Sequence, residues 1–500
     1  MGGIALMVAV SAAASAATMP EAAARRVIAE VQDQLYLHLY PDIRLDLVEA
    51  YLSIDDLPSA KKVAEAIQTP ELRYQGYKVI GVALAEKGDL DAARAYVEKL
   101  AGDRWQGGVV LAIAAWQARH GDAEAAAQTL ANQSSDAYGD LRTPSSKAAS
   151  IARDLAAGGY LAKAHQVIKR AEPFERASAL EDIGLAEHTA GRASEARKSL
   201  RAALDSIKAV PDQIGRRVLL ESVAKTLLTI GANEDARVAL LALRFELLDG
   251  PSWEQPAREL LTVALLFRQS GDERDAHETL RMVGDRVAKD GSPSQCPAPI
   301  QDLARHYAYR GEIDAALDLA KRAPSDRWRE AALVEVVGAL AFANDLVGAR
   351  KLADSLKNDS TRNAAYATMA EAAALKGDDT AAFALVDRIE GRARLPWAGS
   401  VARRTYPLYA IAVIAAYGGR MTTMQRAVDA LETERDQDSA YANLAEIAAA
   451  RGDFGGAVDL AHKIGDRNNR LALLLRLVTR GGRGAPSRPE RPGSRCFFSF

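Results

Sequence analysis

The sequence is poor in cysteine and carries almost no net charge. Only Cys296 and Cys496 occur in its 500 residues, with no CxxC pair, so neither a metal cluster nor a disulfide scaffold is expected. The 64 Lys and Arg residues are balanced by 66 Asp and Glu residues, for a net charge of −2. A chain this close to neutral has no general attraction to nucleic acid or acidic lipid, and neither is predicted as a partner.

Aromatic residues are also scarce, at 6% of the chain, whereas apolar residues as a whole make up 48%. A core must therefore be packed mainly with Ala, Leu, Val and Ile. That composition suits close helix–helix contact better than a β-sandwich. The length exceeds that at which one compact core usually stays undivided.

Long apolar runs are absent except at the N-terminus. Residues 4–17 are apolar or small, and Ala14-Ser15-Ala16 fits the small-x-small pattern of a signal-peptidase site. The run is too short to span a bilayer, so residues 1–17 are interpreted as a signal peptide and a periplasmic or secreted protein is predicted. No Lys or Arg precedes Arg25, which leaves a cytoplasmic protein with an Ala-rich first helix as the alternative. No integral membrane span is predicted.

A short phrase recurs along the whole chain, as in KGDLDAARAYVEKL at 87–100. With its Gly as an anchor, twelve units follow one another at spacings of 32 to 42 residues. Eight residues before the anchor the residue is always aliphatic or Met, and five after it is Ala in every unit but one. The anchors are Asp55, Gly88, Gly121, Gly159, Gly191, Gly231, Gly271, Gly311, Asn344, Gly377, Gly419 and Gly452.

This period predicts a helix–turn–helix in each unit. The first helix ends at the anchor, because Gly or Asn readily takes the left-handed conformation that closes a helix. An Asp that often follows, such as Asp89 or Asp345, can cap the second helix. The Ala five residues after the anchor is expected where the two helices cross, since a larger side chain would push their axes apart.

The columns resemble the tetratricopeptide repeat over roughly residues 40–465. In the clearest unit the family's pattern falls on Tyr77, Ile80, Gly81, Leu84, Gly88-Asp89, Ala93, Val97 and Leu100. The family's Pro near the end of the second helix is mostly missing, its aromatic near the start of the first helix is usually lost, and three consecutive units run to 40 residues. The resemblance implies an all-α fold: a right-handed superhelical solenoid of about twelve helix–turn–helix repeats, with a final capping helix near Asp466–Arg480.

Two interruptions divide the expected array. Residues 284–299 contain two Gly and three Pro and are predicted to form a loop, and residues 391–407 enlarge one unit to 42 residues. The predicted organisation is therefore a signal peptide at 1–17, N-terminal repeats at 18–290, C-terminal repeats with the capping helix at 300–480, and a basic, disordered tail at 481–500.

The sequence contains no recognisable catalytic motif. Its seven histidines form no HExxH or HxH arrangement, and there is no P-loop, GxSxG or dinucleotide-binding fingerprint. No catalytic residue, metal ligand or cofactor is predicted. Arginines at or near the starts of first helices are assigned to contacts between units because acids balance them overall; they are Arg73, Arg104, Arg176, Arg216, Arg327 and Arg362.

The remaining candidate is the concave face, which the resemblance assigns to peptide binding through exposed columns of the first helices. Aromatic residues and Arg dominate interface energies, and the predicted binding residues are Arg305, Tyr309, Trp397, Arg403, Arg404, Tyr406 and Tyr409. The predicted function is a non-catalytic scaffold for a protein or peptide, with the oligomeric state left open. The alternatives are an α/α-toroid hydrolase or lyase acting on carbohydrate, and a scaffold for a peptidoglycan-acting complex.

Overall fold

The twelve anchor residues all adopt a left-handed backbone conformation in the computed structural model, which describes residues 18–34, 41–131, 143–249, 256–290, 298–395, 399–402 and 404–481. Their φ angles lie between 62° at Asp55 and 87° at Gly271. Asp55 and Asn344, the two anchors that are not glycine, are also the only non-glycine residues with positive φ in the described ranges. The predicted helix terminations are therefore confirmed in every unit.

Each anchor separates two helices, as predicted, so that the chain forms twelve consecutive helix pairs. The even-numbered helices α2 to α24 are the first helices of these pairs, and the odd-numbered helices α3 to α25 are the second helices. Helix α1 precedes the pairs and helix α26 follows them. The helices of the described chain are α1 Glu21–Gln34, α2 Pro41–Ser53, α3 Leu57–Glu65, α4 Pro70–Glu86, α5 Leu90–Lys99, α6 Gln106–Arg119, α7 Ala123–Ala131, α8 Pro144–Ala157, α9 Leu161–Ile168, α10 Pro173–Thr189, α11 Ala193–Ile207, α12 Gln213–Thr229, α13 Asn233–Asp249, α14 Pro256–Gln269, α15 Glu273–Asp290, α16 Ala298–Ala308, α17 Ile313–Lys321, α18 Asp326–Phe342, α19 Leu346–Asp354, α20 Asp359–Leu375, α21 Asp379–Val386, α22 Thr405–Tyr417, α23 Met421–Asp429, α24 Glu434–Ala450, α25 Phe454–His462 and α26 Arg467–Arg480.

The helix crossings explain why small residues recur at the same distance from the anchor in successive units. The Ala five residues after the anchor is fully buried in all eleven pairs that have it, and Met424 takes its place in the other pair. At Gly81, seven residues before an anchor, an added Cβ would lie 2.8 Å from Val109 Cγ2, so no larger side chain fits without a shift. Asp89 and Asp345 cap the second helices by accepting from the backbone N–H three residues on. The tetratricopeptide-like architecture predicted from these columns is confirmed.

The 40-residue units differ from the others in their second helices. Helices α11, α13 and α15 contain 15, 17 and 18 residues, whereas the other second helices contain 8 to 10 in the described chain. Seven extra residues are close to two turns of α-helix, which keeps the added residues in phase with the buried face. Accordingly Ala203 and Ile207 of α11, and Leu243 and Leu247 of α13, are buried.

Ion pairs connect these long second helices to one another. Asp235 of α13, which is 8% exposed, accepts from Arg197 and Arg201 of α11 at 2.9–3.2 Å. One unit later Asp275 of α15 accepts from Arg237 of α13 at 2.7 Å. In both links the Asp stands four residues after the anchor of its own unit, and an Arg donor stands six residues after the anchor of the preceding unit.

Two details of the predicted array need correction. The predicted loop at 284–299 is wrong in its first part, because α15 continues to Asp290 and α16 begins at Ala298. The all-α prediction is confirmed for the array, but strands β1 (Arg392–Leu395) and β2 (Gly399–Ala402) pair antiparallel in the enlarged unit before α22. Cys296, Trp397 and Arg403 lie outside the described residues.

The described chain forms two compact units. The first contains residues 28–249, apart from the gaps, together with 262–277, and the second contains 18–27, 256–261 and the described residues from 278 onward. Helix α26 begins after Asp466, which caps it by accepting from Asn469 N–H, so the predicted final helix is confirmed. None of the described helices is both long enough and apolar enough to cross a membrane.

Candidate functional site

A column of Arg and Gln residues near the start of the first helices joins several pairs to the pair before them. These side chains stand fifteen residues before the anchor and donate to a backbone carbonyl near or just beyond the end of the preceding second helix. Arg176, for example, donates to the Ala171 carbonyl at 2.6 Å. The contacts between units predicted for Arg73, Arg176, Arg216 and Arg362 are confirmed by their bonds.

Arg404, a predicted binding residue, belongs to the same column. Its guanidinium donates to the carbonyls of Ile389 and Asp387 at 2.7 and 2.9 Å, and the side chain remains 41% exposed. Tyr406 and Tyr409 follow it on α22 and are partly buried. The binding role of these three residues stays a prediction, although two hydrogen bonds already engage Arg404 in the fold.

Of the other predicted binding residues, Arg305 lies on α16 and Tyr309 directly follows it, and both contact residues of α18. The Arg305 guanidinium donates to both carboxylate oxygens of Glu335, at 2.9 and 3.2 Å, and also to Asp302 at 3.2 Å. The Tyr309 ring centroid lies 5.9 Å from that of Phe342. The structure thus brings Arg305 and Tyr309 into one cluster at the junction of two first helices, separate from the pair on α22.

Glu335 is the most perturbed acid of this cluster. Its side chain is fully buried, and burial raises the pKa of Glu335 to about 7, against the opposing effect of Arg305. Burial lowers the pKa of Arg305, but the attraction of Glu335 and Asp302 outweighs it and the net direction is upward. A carboxyl group without solvent contact is poorly placed to meet a substrate, so the cluster fits a role in joining helices better than one in proton transfer.

A second polar cluster, which the sequence did not reveal, contains His, Glu and Ser. The Glu187 carboxylate accepts from Ser199 Oγ at 2.6 Å and lies 2.9 Å from His165 Nε2. Ser199 and Glu187 are each 4% exposed. Since Ser199 donates to Glu187 rather than to the imidazole, the geometry is that of a buried hydrogen-bond network and not of a nucleophile with its base.

Large apolar side chains are exposed on the first helices of three consecutive 40-residue units. We call these residues the first-helix surface; they are 42–58% exposed and comprise Phe174, Leu185, Ile214, Val218 and Leu265. Eight of the eleven large apolar side chains exposed in the described chain lie between Phe174 and Leu265; five belong to the first-helix surface, and Val238, Phe245 and Leu248 lie on the second helix α13. Such concentration on a folded chain is typical of interaction sites.

The sequence itself distinguishes this surface when residues at the same distance from their anchors are compared. Phe174 and Ile214 stand seventeen residues before their anchors, where the other described units have Ala402 or a polar residue: Glu71, Arg104, Arg327, Ser360 and Arg435. Leu185 and Leu265 share another column, six residues before the anchor. Sequence reasoning gave weight to aromatic and Arg residues in the later units and overlooked the large apolar residues seventeen positions before the anchor, where polar residues predominate.

Acidic side chains lie beside the apolar residues on α10 and α12. Glu181 accepts from the hydroxyls of Ser222 and Thr226 at 2.8 and 2.7 Å, which places α10 directly against α12. Asp182 lies 3.8 Å from Arg153 of α8. Burial raises the pKa of Asp182, Arg153 opposes this and Glu181 adds to it, so its negative charge is only partly compensated.

Metal-ligating groups and one cavity of the described chain can be compared with what a small-molecule site requires. No group of three or more His, Cys, Asp or Glu side chains in these ranges could hold a metal ion. A cavity of about 220 Å³ is lined by Lys376, Tyr417 and Arg420, among others. Arg420 is already bonded to Asp379 at 2.6 Å and to the Ala374 carbonyl at 2.7 Å.

No protein-family model matches the chain, and no curated protein matches it. Solved structures do resemble it. Ton1535 from Thermococcus onnurineus NA1 is 15% identical with a TM-score of 0.25, covering 73% of this chain and 97% of that one. The Cut9–Hcn1 hetero-tetramer of APC/C is 13% identical with a TM-score of 0.21, covering 92% and 96%. A human IFIT1 dimer with PPP-AAAA is 10% identical with a TM-score of 0.23, covering 90% and 95%. These TM-scores are low, and no inference about function is drawn from them.

Proposed function

We propose that this protein is a non-catalytic scaffold that binds a protein or peptide partner through the first-helix surface. The observation that carries the proposal is the exposure of Phe174, Leu185, Ile214, Val218 and Leu265 at recurring positions of consecutive first helices. Burying a large apolar side chain contributes about 1.5–3 kcal/mol when it is fully removed from water. Several such residues on one surface can therefore support specific association.

A surface carried by helices is better preformed for binding than a surface made of loops. The first-helix surface is carried by helices α10, α12 and α14, and Arg176 of α10 and Arg216 of α12 anchor two of these helices by bonds to backbone carbonyls. Asp212 caps α12 by accepting from Gly215 N–H at 2.6 Å. A preformed surface loses little conformational freedom when a partner docks, which leaves more of the contact energy for affinity.

The non-catalytic part of the proposal is supported by how the polar clusters are used. Glu335 is bonded to Arg305 without solvent contact, and the Ser199 hydroxyl donates to the buried Glu187 carboxylate. Both clusters join neighbouring helices. Glycan or peptide turnover by the purified protein alone would contradict this part.

We also propose that the protein acts after export, in the periplasm or outside the cell. The proposal rests on the apolar N-terminal segment and its Ala14-Ser15-Ala16 site. Residues 1–17 lie outside the described structure, and the partner would accordingly be another exported protein or peptide.

Site-specific photocross-linking tests the binding role. A photoreactive amino acid replaces Val218 in one variant and Val347, which is 83% exposed on α19, in a matched control. Position 218 is expected to give a discrete adduct in cells, which Ile214→Asp in the same chain removes, whereas position 347 gives none. Equal adducts from both positions, or an adduct unaffected by Ile214→Asp, would show that the first-helix surface is not the binding surface. The same reagent at Tyr406 or Tyr409 tests the residues predicted from the sequence.

A further inference from the structure

On α10 and α12, the apolar residues of the first-helix surface form one row across the two helices, and acidic residues beside them form a second row. The apolar row contains Phe174 on α10 and Ile214 with Val218 on α12. The acidic row contains Glu181 with Asp182 on α10 and Glu221 on α12. Phe174 and Glu181 are seven residues apart, as are Ile214 and Glu221, so each helix carries the two rows on the same face.

The distance between the rows matches the width of a helix. Seven residues of α-helix rise about 10.5 Å, and a helix with its side chains is about 10–12 Å across. A helix lying across α10 and α12 would therefore touch the apolar row along one edge and the acidic row along the other.

The charges around the surface select the sign of such a ligand. The acids of the acidic row are Glu181, Asp182 and Glu221, and the bases beside them are Arg153 and Lys225. Lys225 is paired with Glu221 at 2.5 Å and Arg153 lies 3.8 Å from Asp182, so three acids face two bases and the row keeps one negative charge. The hydroxyl bonds of Glu181 orient its carboxylate without neutralising it.

We propose that the first-helix surface takes a basic amphipathic helix of the partner, with its apolar edge on Phe174, Ile214 and Val218 and its Lys or Arg side chains on Glu181, Asp182 and Glu221. This inference rests on the proposed function and specifies the chemistry of the partner. It assigns the apolar row to affinity, since large buried side chains dominate interface energies. It assigns the acidic row to orientation and selectivity, which charged rims govern.

A binding assay with synthetic peptides tests the assignment. The probe is an amphipathic Leu/Lys helix of about 18 residues, long enough to cross three first helices spaced 8–10 Å apart. Its comparators are a Leu/Glu helix of the same pattern and a scrambled Leu/Lys peptide without an apolar stripe. Fluorescence anisotropy of each labelled peptide against the full chain gives the dissociation constant. The Leu/Lys helix is expected to bind at least about tenfold more tightly than either comparator.

Charge reversal then distinguishes the acidic row from general electrostatics. Asp182→Lys with Glu221→Lys is expected to weaken the Leu/Lys helix by at least about tenfold and to strengthen the Leu/Glu helix. The control Asp91→Lys with Asp205→Lys makes the same change of net charge at exposed sites away from this surface and should leave both affinities unchanged. Circular dichroism confirms that both variants keep their helices.

The outcomes separate this inference from the proposed function. If the wild type does not prefer the Leu/Lys helix, or if reversal does not exchange the preference, the surface does not select a basic helix. The inference then fails even when Ile214→Asp still removes the cross-link at position 218. If that cross-link is also insensitive to Ile214→Asp, the proposed function fails as well.

Discussion

At the scale of single residues, the repeat is determined by backbone conformation more than by side-chain chemistry. The left-handed φ at each anchor lets one helix end and the next begin within a few residues. Glycine reaches this conformation without a steric penalty, and Asn and Asp do so at moderate cost. That is why the anchors at Asp55 and Asn344 can depart from glycine while Ala or Val does not occur there.

Gly231 offers a test of the backbone contribution alone, because a Cβ added there has no atom within 4 Å and φ is 74°. Gly231→Ala is expected to lower the free energy of unfolding by about 1–2 kcal/mol, the cost of an L-residue in this conformation. Urea unfolding followed by circular dichroism measures the change. Asn344→Gly is the control and should leave stability equal or slightly higher; a neutral Gly231→Ala would refute the explanation.

Glu335 predicts a pH dependence with a definite sign. Its folded pKa of about 7 lies above the ordinary value of 4.5, so the unfolded chain gives up this proton first as the pH rises. The stability that the protonated group contributes is complete below about pH 4.5 and is lost as the pH approaches 7. At about 1.4 kcal/mol per pKa unit, the loss across this window is roughly 3 kcal/mol.

Comparison with Glu335→Gln isolates this effect. The difference in unfolding free energy between wild type and Glu335→Gln should fall between pH 4.5 and pH 7 and stay constant above that range. Urea titrations at half-unit pH intervals, followed by tryptophan fluorescence, give the profile. A difference that is flat, or that rises with pH, would mean that Glu335 is ionised throughout.

At the scale of helices, the long second helices are held to their own pairs by salt bridges. Arg216 at the start of α12 donates to both carboxylate oxygens of Glu246, near the end of α13, at 2.8 and 3.0 Å. The hydrogen bond from Arg216 is the largest cause that lowers the pKa of Glu246. This pair connects the extension of α13 to the column of arginines that joins successive units.

A double-mutant cycle on Arg216→Ala and Glu246→Ala should give a coupling free energy of about 1 kcal/mol at neutral pH, because the pair is bidentate and partly buried. Since the pKa of Glu246 is lowered in the fold, the coupling is present above its unfolded value and disappears as the pH falls through the folded value. Chemical unfolding of the four proteins of the cycle, at neutral pH and at a pH below the folded pKa of Glu246, measures this coupling free energy. The exposed pair Lys208 and Asp205 is the control and should show little coupling; equal coupling in the two pairs would contradict the explanation.

At the scale of the whole chain, the sequence predicted the array far better than its surface. Helix ends and crossings depend on local requirements, such as positive φ at Gly88 or the lack of space at Ala93, and each of these restricts a column to one or two residue types. Surface function has no such restriction. Arg404 resembled a binding residue until its bonds to two carbonyls were visible, whereas Ile214 and Val218 resembled ordinary helix residues until their exposure was known.

The proposed export gives a prediction for the complete chain. When the chain is expressed with its N-terminus intact in a host that has a periplasm, the protein is expected in the periplasmic fraction, cut after Ala16 within the predicted signal peptide at 1–17. Fractionation and mass spectrometry of the N-terminal peptide provide the measurement. A variant with Ala14→Leu and Ala16→Leu should keep its N-terminus, since the peptidase requires small side chains there. Recovery of the uncut chain from the cytoplasm would favour the cytoplasmic alternative.

The two-turn extension of the second helices separates two properties that are usually linked in a repeat protein. Because seven residues return a helix to nearly the same phase, α13 can gain or lose that length without rotating α12 beside it. The thickness of the layer can therefore change while the pattern presented to a ligand is preserved. A chain that loses one such segment from α13 would give up the exposed Phe245 and Leu248, and with them Glu246, the partner of Arg216, while Ile214, Val218 and Glu221 stay on one face of α12. Repeat length in this protein therefore sets the length of the second helices, and the residues that the first helices present to a ligand can evolve independently of it.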